Sequence, residues 1–214
     1  TSNFTIAFTP SGVGTRTATL TIPNNDIDEA PYTFTISGTG SAPEINLKQG
    51  ATNVPDGDLF DYGAVGVGQN NAVTFTIENT GNANLVLSGT PIVNISGANP
   101  SDFIVTAMPS SPVSGGSTTT FVLQCTPGGT GERSAEISIE NNDADEATYN
   151  FTVTATGVVP EIDVKQNTFV ISNGGDFSPG MGSVDVGSGS NTLTFTIENV
   201  GGGDLTLDGV PMVQ

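Results

Sequence analysis

Three acids, Asp143, Asp145 and Glu146, crowd the stretch NNDADEATYN (141–150), and the same trio returns as Asp26, Asp28 and Glu29 in NNDIDEAPYT (24–33). Carboxylates at this density suggest calcium coordination, because hard cations take several oxygen ligands, or an acid and base pair for glycoside hydrolysis. Asn141, Asp143 and Asp145 have the i, i+2, i+4 spacing that opens a calcium loop. An EF-hand is nevertheless excluded, since Glu146 stands where that loop needs Gly and its twelfth position is Thr152. A looser calcium site from Asp143, Asp145 and Glu146, with Asp26, Asp28 and Glu29 in the earlier copy, is one reading. The favoured one is a solvated connection whose Asn and Asp cap backbone amides and whose charge discourages edge pairing.

Catalysis is not expected. The chain has no His, which removes Ser-His-Asp and Cys-His nucleophilic arrangements and the usual base at neutral pH. It also has no Trp to line a sugar cleft, and an acidic loop duplicated in each unit beside no aromatic cluster is a poor place for such an acid and base pair. The one thiol, Cys125, corresponds to Phe8 in the earlier copy, on the inward side of a strand carrying Phe4 and Ile6, so it reads as a small buried hydrophobe. GAVGVG (63–68) does not lead from a strand into a helix, so it is a turn and not a phosphate loop. No cofactor is expected other than calcium.

Four Lys and Arg against 22 Asp and Glu give a formal charge of −18 over 214 residues. Such a surface repels phosphate backbones and anionic lipid, so no nucleic-acid partner is expected. No apolar stretch approaches the length of a membrane span, and a single Cys allows no internal disulfide.

The elements that hold these residues repeat. NNDIDEAPYTFTISGTG at 24 returns at 141, and PEINLKQ at 43 returns as PEIDVKQ at 160, both 117 residues on. TFTIENTG at 74 returns as TFTIENVG at 194, which places a three-residue insertion near Gly174 to Met181. Arg16 and Arg133, and Lys48 and Lys165, keep the 117 spacing. The chain therefore reads as the C-terminal half of one unit (1–42), a complete unit (43–159) and the N-terminal half of a further unit (160–214). Either the array continues beyond these residues, or terminal halves of neighbouring chains complete each other as a filament.

Within a unit the apolar period is two, as in Phe121, Leu123 and Cys125 or Tyr149, Phe151 and Val153, with turn signals such as NTGNAN between the runs. The fold class expected is all-β: tandem immunoglobulin-like antiparallel β-sandwiches of seven to nine strands, joined by the short linkers 38–44 and 157–161. Pro43 and Pro160 restrict those linkers, giving a semi-rigid rod.

Three blocks in order, YGAVGVG (62–68), TFTIENTGNANLVLSGTP (74–91) and CTPGGTGERSAEISIENNDADEATYNFTVTATG (125–157), resemble the choice-of-anchor D repeat, a relative of Hydin and ASPM type immunoglobulin-like domains. The resemblance covers essentially the whole chain and departs at Tyr62 and Cys125, where the pattern has Phe. It implies a large bacterial protein, secreted or on the cell surface, exported by a signal outside this segment, often in Bacteroidota that use a C-terminal sorting signal. The expected function is a non-catalytic stalk, fibre or adhesin shaft whose partners are neighbouring repeats and other surface proteins or glycans. A glycan- or protein-binding module, using the sandwich-end loops or the segment 94–117, and a passive spacer attached to a secreted enzyme are the alternatives.

Overall fold

The computed structural model describes residues 1–178 and 180–209, and the chain is almost entirely β. β1 (Gly14–Ile22) and β2 (Tyr32–Gly40) form an N-terminal hairpin. Nine strands follow between residues 43 and 159: β3 (Ile45–Gln49), β4 (Thr52–Asn53), β5 (Leu59–Gly66), β6 (Asn71–Asn79), β7 (Asn94–Ser96), β8 (Phe103–Ala107), β9 (Thr118–Cys125), β10 (Gly131–Glu140) and β11 (Thr148–Val158). β12 (Ile162–Gln166), β13 (Phe169–Ile171) and β14 (Thr196–Asn199) make a small C-terminal sheet. The insertion expected near Gly174 to Met181 includes Pro179, and the expected unit 160–214 ends in residues 210–214; these lie outside the described residues.

Two sheets close the central module, one ordered β4-β3-β6-β9-β8 and the other β5-β11-β10-β7. Alternation explains the closure. In β9 and β11 every second residue is buried and, Thr119 and Gly157 apart, apolar, while mostly Thr, Asn and Gln take the other face, so each sheet has one face that must be covered. The result is an immunoglobulin-like sandwich. Its centre is aromatic: Phe75 lies 5.2 Å from Phe121, 5.3 Å from Phe151 and 5.0 Å from Phe60, centroid to centroid. Such pairs add about 0.5–1.5 kcal/mol beyond the area they bury. The two buried phenols find acceptors, Tyr62 at the Leu123 carbonyl and Tyr149 at the Val54 carbonyl, so neither leaves an unpaired hydroxyl in the core.

Two expectations need correction. The strands are not all antiparallel: β5 runs parallel to β11, because the chain crosses from one sheet to the other after β4 and then lies alongside the module's last strand. The run carrying Phe4, Ile6 and Phe8 is not a strand. Its counterpart β9 is held on one edge by β6 and on the other by β8, and the N-terminal half contains a counterpart of neither, so its backbone has no ladder to join.

Candidate functional site

The acidic turn between β10 and β11 is built by Asn141. Its Oδ1 accepts the Asp143 amide at 2.7 Å, and its Nδ2 donates to the carbonyls of Ile139 and Glu146. An Asn side chain that hydrogen-bonds the backbone two residues on imitates a backbone turn, so this shape is written locally. The earlier copy confirms that locality: Asn24 accepts the Asp26 amide at 2.8 Å and donates to Ile22 and Glu29 carbonyls in the same pattern.

The two copies differ in what faces them. In the central module Glu44, just before β3, joins Asp143, Asp145 and Glu146, with one carboxylate oxygen from each lying within 4.8 Å of the others. Asp143 is 3% exposed, and its Oδ2 accepts the Ile45 amide at 2.8 Å. Glu146 Oε2 is buried without a hydrogen-bond partner. Desolvation first, then the charges of Asp145, Asp143, Glu44 and Asp56, push the Glu146 carboxyl above the usual glutamate range. Partial desolvation and then Asp143 and Asp145 raise that of Glu44. In the hairpin, Asp26, Asp28 and Glu29 also come together but are exposed. Chemically, the central cluster offers oxygens to a hard cation and repels itself without one, while Asp143 is already engaged with the backbone.

A second constellation fixes the joint. Asn82 and Ala83 amides donate to the Ala42 carbonyl, the Ala42 amide donates to Asn82 Oδ1, and the Glu44 amide to Asn79 Oδ1. The loop 79–83 thereby clasps the linker that enters the module. Gly81 permits the approach: a Cβ there would stand 2.4 Å from the Ala42 carbonyl oxygen and 2.6 Å from the Pro43 carbonyl carbon. Part of this clasp recurs downstream, with Gly203 donating to the Val159 carbonyl, Glu161 donating to Asn199 Oδ1, and Gly201 in the place of Gly81, while Gly202 in the place of Asn82 has no side chain to accept the linker amide. The repeated motif TFTIENxG thus ends in residues that hold a linker.

A third group is the pair Asp102 and Arg133. Asp102, at the turn before β8, is buried and accepts from Arg133 Nε and from the Gly128 amide. Its carboxyl is held below the ordinary aspartate range, chiefly by the Arg133 hydrogen bond. Cys125 is fully buried, and burial pushes its thiol up to about 11, which suits packing and not nucleophilic chemistry.

Sequence reasoning found the acids of the turn and missed Glu44, Asp102 and the clasp. Glu44 carried a signal, since PEI recurs at 160 as PEI with Glu161. Asp102 carried none, lying in the segment 94–117 that has no second copy here.

No protein-family model matches the chain, and no curated protein matches it. Among solved structures, it is similar to a protein of unknown function from Porphyromonas gingivalis W83, at 16% identity over 68% of this chain and 67% of that one, with a TM-score of 0.43. It is also similar to the ASH / PapD-like domain 7 of human CEP192, at 13% identity over 54% of this chain and 86% of that one, TM-score 0.38. A third similarity is to the VesB protease of Vibrio cholerae, at 13% identity over 47% of this chain and 30% of that one, TM-score 0.37.

Proposed function

We propose that this chain is a non-catalytic structural segment of a large bacterial surface or secreted protein, a run of immunoglobulin-like modules of the choice-of-anchor D type that serves as a stalk, fibre or adhesin shaft. The observation that carries the reading is the clasped linker. A passive tether between domains would make no fixed contacts, whereas here corresponding loops hydrogen-bond the linker carbonyls of Ala42 and of Val159. Linkers held this way transmit orientation from one module to the next, which a rod needs and a flexible chain of domains does not.

The chemistry of the exposed groups agrees with a mechanical role. The net charge of −18 keeps neighbouring rods apart in solution. The outward faces of β9 and β11 are mostly Thr, with Gln124 and Asn150, and the acids of the turn serve the backbone.

Residues 43–159 expressed alone should unfold in one cooperative transition. Two copies of that module joined through the native linker 157–161 should scatter as an extended particle. A central module that does not fold by itself, or a tandem whose scattering is that of freely jointed beads, would overturn the rod.

A further inference from the structure

The two joints of this chain differ at one pair of positions. The repeat aligns Ser41 with Val158, two residues before each linker proline, and Asn82 with Gly202, directly after the clasp glycine. At the first joint Asn82 Oδ1 accepts the Ala42 amide at 3.0 Å, while the Asn82 and Ala83 amides donate to the Ala42 carbonyl. One linker residue is thus held by both its N–H and its C=O. At the second joint the loop is Gly201, Gly202 and Gly203, and none of the three has room for a side chain. A Cβ on Gly202 would stand 2.9 Å from Val158 Cγ1, and one on Gly203 2.8 Å from the Val159 carbonyl carbon. Glycine is what lets one backbone come this close to another.

The position of these contacts gives them their effect. The Val158 carbonyl accepts the Val67 amide at 2.9 Å, from the module before, and the Val159 carbonyl accepts the Gly203 amide at 3.0 Å, from the segment after. A bend is therefore confined to the bonds between residues 158 and 159. The matching peptide at the first joint lies between Ser41 and Ala42, and its N–H is the group that Asn82 holds. We propose that the pairs Ser41–Asn82 and Val158–Gly202 are two alternative fittings that set how firmly each joint is held, one by a side-chain hydrogen bond and the other by Val158 packed over a bare glycine. The residues are exchangeable as pairs and not singly, because the isopropyl group of Val158 occupies the space in which an Asn side chain at 202 would start. A run of such modules is then a rod whose stiffness varies from joint to joint.

This inference rests on the rod reading and adds to it which residues set the joint. Amide hydrogen exchange of the full chain, resolved to single residues, is the test, since exchange reports local opening. Asn82→Gly should speed exchange of the Ala42 amide by about two- to fivefold, the lower part of what one hydrogen bond is worth because this one is exposed. Exchange over 157–161 should not change in that variant. Gly202→Asn should speed exchange at Val159 and Glu161, as the loop is pushed off Val158. Adding Val158→Ser to it should reverse that loss and slow the Val159 amide below its wild-type rate. The ladder amides of β9 and β11 in the complete module should keep their rates in every variant and serve as the folding control. An Ala42 amide indifferent to Asn82→Gly, or a double variant no better than Gly202→Asn alone, overturns the proposal. The rod reading stands or falls separately, on whether 43–159 folds and its tandem is extended.

Discussion

Asp143 Oδ2 accepts the backbone N–H of Ile45 at 2.8 Å, across 98 positions of sequence and in a buried setting. This bond ties the turn before the module's last strand to the start of its first. Removing the acceptor strands a buried amide, which costs about 1–3 kcal/mol, whereas a change that keeps an acceptor of the same shape costs little. Asp143→Ala should therefore lose about that much in urea unfolding, and Asp143→Asn, which keeps Oδ1, less than half of it. Equal losses would show that the charge and not the acceptor matters.

Glu146, together with Glu44, gives the cluster its pH dependence. Its carboxyl is raised in the folded protein, so the folded state holds that proton more tightly than the unfolded chain. Stability then falls as pH rises from the ordinary glutamate value through the raised one, and is unaffected by this group below both. Glu146→Gln should raise the unfolding midpoint at neutral pH, with the gain vanishing in acid. The same pair of proteins addresses calcium: a specific cation would raise the wild-type midpoint more than that of the variant, whereas ionic strength alone would move both together.

Asp102 behaves oppositely. Its folded pKa is depressed by Arg133, so its contribution is present above the ordinary aspartate value and lost as pH falls through the folded one. Arg133→Met leaves a buried carboxylate with no cationic partner, its Gly128 amide and Ser101 contacts being uncharged, and loss of a partner from a buried pair costs about 3–5 kcal/mol. The variant should lose an amount of this order near neutrality and show a flatter acid limb in its stability against pH. A loss under about 1 kcal/mol would class the pair with solvent-screened surface bridges.

Period-two alternation made the sandwich legible, because Phe121, Leu123 and Cys125 read as one buried face and are one. The 117-residue repeat placed two acidic turns in register, and both take the same Asn-built shape. Two things were not legible. The parallel seating of β5 on β11 depends on a crossover between sheets, which alternation within either strand does not encode. The acidic turn was read as a local object, and locally it is one, since Asn24 builds it without help; Glu44 joins it only because β3 starts beside it, a neighbour set by tertiary packing.

Gly81 should be intolerant of any side chain. Its φ is not in the left-handed region, so the reason is space: a Cβ would overlap the Ala42 oxygen and the Pro43 carbonyl carbon, both backbone atoms that cannot turn aside. Gly81→Ala should loosen the clasp before it unfolds the core. The expected signs are faster proteolytic cleavage within 38–44 and a broader distribution of dimensions in scattering, with the module's cooperative transition retained at a lower midpoint. Unchanged cleavage would remove the clasp as the source of joint rigidity.

The repeat also contains a natural exchange of volume. Where the central module has Cys125 and Ala155, both buried, the N-terminal half has Phe8 and Gly38 at the same positions. A Cβ on Gly38 would stand 2.7 Å from the Phe8 ring, so the larger residue is accommodated by deleting the smaller one's methyl. Cys125→Phe alone should overpack the core at a cost of about 1–3 kcal/mol. Ala155→Gly alone should cost stability through lost packing and a more flexible unfolded chain. If the two positions touch as their counterparts do, the double variant recovers part of the loss, and the cycle shows a favourable coupling of at least about 0.5 kcal/mol. Strict additivity would mean that Phe8 and Gly38 belong to a differently packed core.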